Sequence, residues 1–268
     1  MMNYENGELS FVGYLAGEKV RSVARIFEEQ MQKCGVEYFD FYLLHNVCET
    51  SFDFYTNEEL GVVRYLLEQK QAGKIRHLGF SAHGMAGTIE RFLDVYPDTF
   101  EFAQIQINYI DWDLQDAGEK YRLLTERGIP VIAMEPVRGG KLCELPGRAK
   151  ELLEQARPGE TDASWAFRFL QALPNMQVVL SGMSTLEQLK ENIALFSEPQ
   201  PVTQEERGLL RQVAGMMVDS VPCTKCRYCC EECPRGLDVP VLLSLYEQAS
   251  FSGMGILNFN IGKMKEEE

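Results

Sequence analysis

No stretch of the chain approaches the ~18 consecutive apolar residues that cross a bilayer, and there is no low-complexity tract and no sequence repeat. A membrane span and a repeat array are therefore not expected. The N-terminal MMNYENGELS has neither a basic n-region nor an apolar h-region, so the expected compartment is the cytoplasm, and a disulfide framework is not expected there. Positive charge is scarce: 26 Lys and Arg stand against 40 Asp and Glu, a formal net charge of -14. Phosphate backbones call for clustered Lys and Arg, so nucleic acid is not an expected partner. What remains is an ordinary soluble composition, 45% hydrophobic and 25% charged over 268 residues, enough for one large or two unequal domains.

The most specific stretch is CTKCRYCCEECP, in which Cys223, Cys226, Cys229 and Cys233 followed by Pro234 give C-x2-C-x2-C-x3-C-P. Thiolates at this pitch converge on one [4Fe-4S] cubane while the short loops between them turn backbone amides toward its sulfides. The chain holds one such run, so all four cysteines are assigned to a single cluster. A structural zinc site usually separates two C-x2-C knuckles by roughly 12 to 20 residues, which fits this crowding less well. Cys230 is the spare thiol, because using it in place of Cys229 gives a poorer spacing. Cys34, Cys48 and Cys143 are scattered and read as small buried hydrophobes.

Upstream, helical and strand patterns alternate. Lys19 to Lys33 reads as an amphipathic helix, Tyr38 to Asn46 as a buried strand, Glu58 to Ala72 as a helix and Ile75 to Phe80 as a strand. Met85 to Tyr96 is a helix, Phe102 to Ile107 a strand, Ala117 to Arg127 a helix closed by Gly128, IPVIAMEP a strand, Ala163 to Leu173 a helix, MQVVLSGM a strand and Thr185 to Phe196 a helix. Strands apolar on both faces, alternating with helices, predict a parallel sheet covered by helices. Each strand ends in polar or glycine-rich residues: His45-Asn46, Ser81 to Gly84, Asn108, Glu135-Pro136 with Arg138 to Gly140, and Ser181-Gly182. A (β/α)8 barrel collects its chemistry at these C-terminal strand ends, whereas a doubly wound sheet does so at one switch point, so the barrel is favoured. Beyond it, Thr203 to Met217 reads as a helix opened by a capping-box-like Thr-Gln-Glu-Glu. Gly236 and Asp238 read as a turn, Val239 to Gln248 as a short helix beside the cluster, and the stretch from Ser250 as an extended tail. The resulting division is 1–200 barrel, 201–250 helical linker and cluster domain, 251–268 tail.

YFDFYLLHN, GKIRHLGFSAHG, FAQIQINYID, GIPVIAMEPVRGGKL and LSGMSTLEQLKENI, in this order and followed by the cysteine run, resemble the aldo/keto reductases that carry a C-terminal iron-sulfur domain. The resemblance implies a (β/α)8 TIM-type barrel that moves hydride between NADH or NADPH and a small carbonyl substrate, with an Asp, Tyr, Lys and His tetrad at the strand ends. It assigns His45 as the catalytic histidine; on the residues alone His45 is equally a strand-end histidine satisfied by nearby backbone. It places the nicotinamide carboxamide on Ser81 and Gln104, and puts Met134 and Glu135 where the family has a ring-stacking aromatic. A phosphate falls at Gly182, Met183 and Ser184, before a helix N-terminus, and the adenine at Glu191 and Asn192. Gly182 and Gln188 occupy the places where many members carry basic residues for a 2'-phosphate, so NADH and NADPH both remain open.

The same resemblance implies three earlier strands supplying Asp, Tyr and Lys, yet only about 35 residues precede the strand that ends in His45. Tyr4, Tyr14, Lys19 and Asp40 do not lie in the family's surrounding pattern. About five βα units are expected where a whole barrel takes ~250 residues, so the expectation is a barrel truncated at its N-terminus with a small α-helical iron-sulfur domain. It would be a fragment of a longer gene, a remnant kept to carry the cluster, or one part of a barrel completed by another chain. Exposed barrel edges would then favour self-association. Two functions follow: an iron-sulfur oxidoreductase acting on a carbonyl substrate or a redox partner protein, or a catalytically incomplete electron-transfer module.

Overall fold

The computed structural model describes residues 19–218, 228–231 and 233–252. Tyr4, Tyr14, Cys223, Cys226 and the stretch after Ser252 lie outside the described residues. The chain divides into two compact units after Ala103.

In the first unit, helix α1 (Lys19–Cys34) precedes strand β1 (Phe39–Val47), a short helix α2 (Phe52–Thr56), helix α3 (Val62–Gln71), strand β2 (Ile75–Ala82) and helix α4 (Ala86–Val95). β1 and β2 pair in parallel, with Phe39 opposite Ile75 and Leu44 opposite Phe80. α1 buries Phe27 and Met31, one turn apart on a single helical face. The Phe27 ring meets Phe39 at 5.9 Å, Tyr42 at 5.2 Å and Tyr65 at 6.1 Å, all edge-on, the arrangement aromatic quadrupoles prefer. On α4, Ile89, Phe92 and Leu93 are buried, and Phe92 joins a cluster with Phe80 and Phe100.

The expectation of strands apolar on both faces holds only for their C-terminal halves. Near the N-terminal ends, Arg76 pairs with Asp40 at 2.5 Å and His77 stacks on Phe41, which is 65% exposed. Gly79 is required by contact, since a Cβ there would lie 2.5 Å from the Phe102 ring.

Strand β3 (Phe102–Gln106) starts in the first unit and ends in the second, followed by α5 (Asp111–Leu114), α6 (Ala117–Glu126), β4 (Val131–Met134), α7 (Gly147–Ala156), α8 (Asp162–Gln171), β5 (Met176–Val179) and α9 (Leu186–Ser197). β4 and β5 are parallel, with Val131 opposite Met176 and Ala133 opposite Val179. α8 is the buried helix of this unit, with Trp165 to Leu170 all buried. α9 is the opposite case: Leu186, Leu189, Ile193 and Phe196 lie at helical spacing and are exposed, beside Val178 and Leu180 of the β5 segment. An apolar patch of this kind marks an interaction surface more often than plain solvent-facing surface. Among the described residues no helix is long and apolar enough to cross a membrane.

Several elements differ from expectation. Helix α7 was not expected, the predicted helix from Glu58 starts only at Val62 after the separate α2, and the predicted strand MQVVLSGM is paired only over Met176–Val179. Helix α10 (Gln204–Met217) opens as expected, with Thr203 and Glu206 forming a complete capping box. After the short helix α11 (Tyr228–Glu231), α12 runs Val239–Ser252, past the point at Ser250 where an extended tail was expected.

Arg157, at the end of α7, grips Glu206 with two bonds of 2.5 and 2.8 Å, and both side chains are under a fifth exposed. The Arg157 guanidinium holds the Glu206 carboxyl down at about 2. A depressed carboxyl contributes stability that is present above its unfolded value, ~4.5, and lost as pH falls toward about 2. Glu206→Gln keeps a residue able to close the capping box but removes the charge. Urea unfolding should show a loss of about 1–3 kcal/mol at neutral pH and a flatter decline in stability between pH 4.5 and 2 than in the unsubstituted chain. Gly79→Ala should cost about 1–3 kcal/mol from overpacking against Phe102, measured the same way.

Candidate active site at the strand ends

In the first unit the candidate site is the joined C-terminal ends of β1 and β2. The parallel register breaks between Leu44 and Val47, and at that break Asn46 takes φ +60, a left-handed conformation that costs a non-glycine residue roughly 1 kcal/mol or more. Three side chains hold it there. The Asn46 N–H donates to Ser81 Oγ at 2.7 Å, Ser51 donates to the Asn46 carbonyl at 2.6 Å, and the Tyr55 hydroxyl donates to the His45 carbonyl at 2.6 Å. Val47 carbonyl accepts from both His83 and Gly84 N–H at 3.0 Å. Gly84 admits no Cβ, which would meet Cys48 Cα at 2.9 Å. Glu49 accepts the Met85 N–H at 2.7 Å, at the start of α4.

This scaffold presents the His45 ring, half-buried, with burial as the main cause holding its pKa below the ordinary histidine value. His45 is therefore neutral at pH 7, able to donate one N–H and accept at the other nitrogen. Ser81 is fully buried, so its observed role is to position the residue after His45. Asn46 Oδ1 is buried and has no hydrogen-bond partner, an acceptor awaiting a donor.

The second unit repeats the device at β4. Glu135 follows the strand at φ +56 and Arg138 lies at φ +48. Asn108, fully buried after β3, uses its whole amide: it donates to Asp111 Oδ2 at 2.6 Å and to the Glu135 carbonyl at 3.0 Å, and accepts from Ile110 and Asp111 N–H at 3.0 and 2.8 Å. Asp111 is fully buried and forms an ion pair with Arg138, and Gln106 also donates to it at 2.9 Å. Gln104, half-buried, donates to Met134 Sδ at 3.4 Å, so these two predicted cofactor residues adjoin. Glu135 itself is exposed.

Around α9, Gly182 has open space about it and Ser184 is exposed. Of the loop N–H groups expected to be free, that of Ser184 is bonded. Gln188 Oε1 accepts from Ser184 N–H at 2.7 Å and from Thr185 N–H at 3.2 Å, closing a capping box. A phosphate at this loop would displace the Gln188 amide. Glu191 accepts hydrogen bonds from Thr161 and Ser164, and Asn192 donates to Ser181 Oγ at 3.1 Å. Glu191 and Asn192 are thus oriented by neighbours of this unit. An open groove of about 450 Å3, lined by Leu170, Leu173, Val178 and Phe196 among others, contains none of the predicted site residues.

Of the four cysteines that the sequence spacing assigns to a cluster, Cys229 is exposed and Cys233 half-buried, and Leu237 N–H donates to Cys233 Sγ at 3.3 Å. An amide aimed at sulfur is the donor chemistry a cluster thiolate uses. Among the described residues no group of three or more His, Cys, Asp or Glu is placed to hold a metal; Cys223 and Cys226 are not among them.

Residues 13–214 match the model of the aldo/keto reductase family. The chain belongs to this family. Its curated relatives include the uncharacterized oxidoreductase YqkF of Bacillus subtilis (strain 168), 23% identical over 206 residues, 67% of this chain and 61% of the relative. Another is L-galactose dehydrogenase of Arabidopsis thaliana, 24% identical over 211 residues, 72% and 63% respectively. The chain thus spans under two thirds of the length of these relatives. Among solved structures, aldo-keto reductase AKR11C1 from Bacillus halodurans, in its holo form, superposes with a TM-score of 0.58 at 21% identity, over 73% of this chain and 67% of that one. The thermostable aldo-keto reductase Tm1743, in complex with the inhibitor epalrestat, gives 0.60 at 22% over the same shares. The fold is accordingly the α/β, TIM-barrel-like fold of the aldo/keto reductases, with a parallel sheet.

Sequence reasoning missed Ser51, Tyr55 and Asp111, and named Asn108 and His83 only as polar residues at strand ends. The polar run at each strand end was the only signal for Asn108 and His83. Ser81→Ala should leave the buried Asn46 N–H unsatisfied and cost about 1–3 kcal/mol. Asn108→Ala, which strands several partners at once, should cost more than Ser81→Ala, about 2–4 kcal/mol, in chemical denaturation of both variants side by side.

Proposed function

We propose that this aldo/keto reductase-family chain is an iron-sulfur oxidoreductase that binds NADH or NADPH, acts on a small carbonyl substrate and carries one [4Fe-4S] cluster on Cys223, Cys226, Cys229 and Cys233. The observation that carries the reading is the placement of His45. It lies near the end of β1 of a family-matched fold, with its backbone pinned by Tyr55 and by the Ser81-held Asn46. A neutral imidazole there donates an N–H to the carbonyl oxygen and orients it. Gln104 would face the carboxamide, Gly182 and Ser184 the phosphates, and Glu191 and Asn192 the adenine. When bound, the reduced nicotinamide supplies hydride to the carbonyl carbon. A cluster takes one electron at a time, so its exchange with a hydride donor requires an intermediary, and its role is electron transfer to a separate partner.

A second reading, an electron-transfer or structural iron-sulfur protein on a barrel remnant, is favoured by one feature: Gln188 occupies the loop N–H groups. Self-association through the exposed stripe of α9 belongs to the same proposal. Light scattering should show Ile193→Lys shifting the chain toward lower mass, and an unchanged mass would count against that surface.

Anaerobic reconstitution separates the readings. The first predicts four irons and four sulfides per chain together with saturable NADH or NADPH fluorescence. Four irons without nucleotide binding would leave the second reading. Zinc in place of iron would overturn the cluster assignment. Cys233→Ala should lose iron while the far-UV spectrum stays unchanged.

A further inference from the structure

We propose that Tyr55 and Tyr96 are positioning residues for His45, two hydroxyls in series that brace the histidine's backbone against helix α4 and so set how its ring meets a carbonyl oxygen. The inference rests on the reductase reading of His45 and names what holds that residue in place. Every part of it lies in the first unit.

The brace sits at a break in the ladder. The parallel register of β1 on β2 passes from Leu44 opposite Phe80 to Val47 opposite Ala82 and skips His45 and Asn46. At this break the Tyr55 hydroxyl donates to the His45 carbonyl at 2.6 Å. Tyr55 sits on α2, a helix of five residues, and a helix so short is not stable by itself. Ser51 at its N-cap makes no side-chain cap bond, its Oγ being engaged with the Asn46 and Cys48 carbonyls. The hold on His45 is therefore only as firm as the hold on α2.

The second hydroxyl supplies that hold. A helix leaves its last four carbonyls without intrahelical partners, and the Tyr55 carbonyl is among them. Tyr96, the C-cap of α4, donates its hydroxyl there at 2.7 Å. The Tyr96 ring packs on Phe92 at 5.3 Å and on Phe100 at 6.3 Å, in the aromatic cluster that also holds Phe80 of β2. Arg91 of α4 adds a further tie, its guanidinium 4.5 Å from the Phe52 ring of α2. Burial pushes both tyrosine hydroxyls above their ordinary value, so both stay protonated donors near neutral pH. Support runs from the Phe92–Phe100 cluster through Tyr96 and α2 to His45. The ring so mounted is half-buried and, chiefly through burial, less basic than an ordinary histidine. A shift of about 1 Å at a positioned group can cost up to ~100-fold in rate, so removing either hydroxyl affects the ring without touching it.

Tyr55→Phe and Tyr96→Phe keep the rings and remove one donor each. In the anaerobically reconstituted full chain, the ring Cε1–H resonances of the three histidines are titrated by NMR, with His77→Gln for assignment, and an aromatic aldehyde is then titrated against the His45 resonance. Tyr55→Phe should raise the His45 midpoint by about half a pH unit, as a loosened ring gains water, and weaken the aldehyde binding read at His45 by about 10-fold. Tyr96→Phe should act in the same direction to a smaller extent. The double variant should match Tyr55→Phe alone, because links in series do not add. Tyr42→Phe, which removes the bond to Gln30 Oε1, is the control for loss of a hydroxyl outside the brace, and should leave the His45 midpoint and aldehyde affinity in place. Circular dichroism identifies a variant that fails to fold; should Tyr55→Phe do so, movement of the midpoint in Tyr96→Phe decides. A His45 midpoint unmoved by these variants, or effects that simply add, overturns the proposal while the reductase reading stands. An aldehyde that leaves the His45 resonance of the unsubstituted chain unmoved overturns the carbonyl role of His45 and the part of the brace in binding with it.

Discussion

Left-handed backbone at two strand ends, Asn46 in the last residues of β1 in the first unit and Glu135 after β4 in the second, is the constraint on which each unit's candidate site residues depend. Each costs conformational energy that an ordinary strand end avoids, and each is held by a buried side chain from another strand's end: Ser81 on the Asn46 N–H, Asn108 on the Glu135 carbonyl. The turn after β1 aims His45, and the turn after β4 closes over the Asp111–Arg138 pair. An uncompensated charge at that depth would cost several kcal/mol, and the Asn108 and Gln106 amides that surround Asp111 prevent it.

The rest of each unit supplies rigidity to those ends. Phe27 locks α1 to β1, Phe92 locks α4 to the Phe80–Phe100 cluster, and Trp165 anchors α8. In β1 and β2 the polar ends are thus mounted on well-packed C-terminal halves, the arrangement that lets a site keep its geometry without a flexible hinge, whereas β5 exposes Val178. The exceptions are informative: the N-terminal ends of β1 and β2 expose Phe41 and His77, and α9 exposes one whole apolar stripe.

Periodicity made the alternation of strands and helices legible, because buried strands and amphipathic helices write themselves in apolar spacing. The Thr203 capping box was legible for the same local reason. Helix α7 was not recognised, although Ala149 and Leu153 lie buried on it. The Ser184 amide looked free in sequence but is bonded to Gln188, and Glu191 is engaged by Thr161 and Ser164. Side-chain bonds across 27 or 30 residues leave no trace in local pattern. Ser81 was singled out as a cofactor contact, whereas its visible bond is to the backbone beside His45.

The central claim, that these strand ends serve a nicotinamide nucleotide, is tested most directly by a crystal structure of the reconstituted chain soaked with NAD. The account predicts the carboxamide within hydrogen-bonding distance of Gln104 and the Gln188 amide displaced from Ser184 and Thr185 by phosphate. A nucleotide lodged instead in the groove between α8 and β5, with Gln188 still closing its capping box, would contradict it.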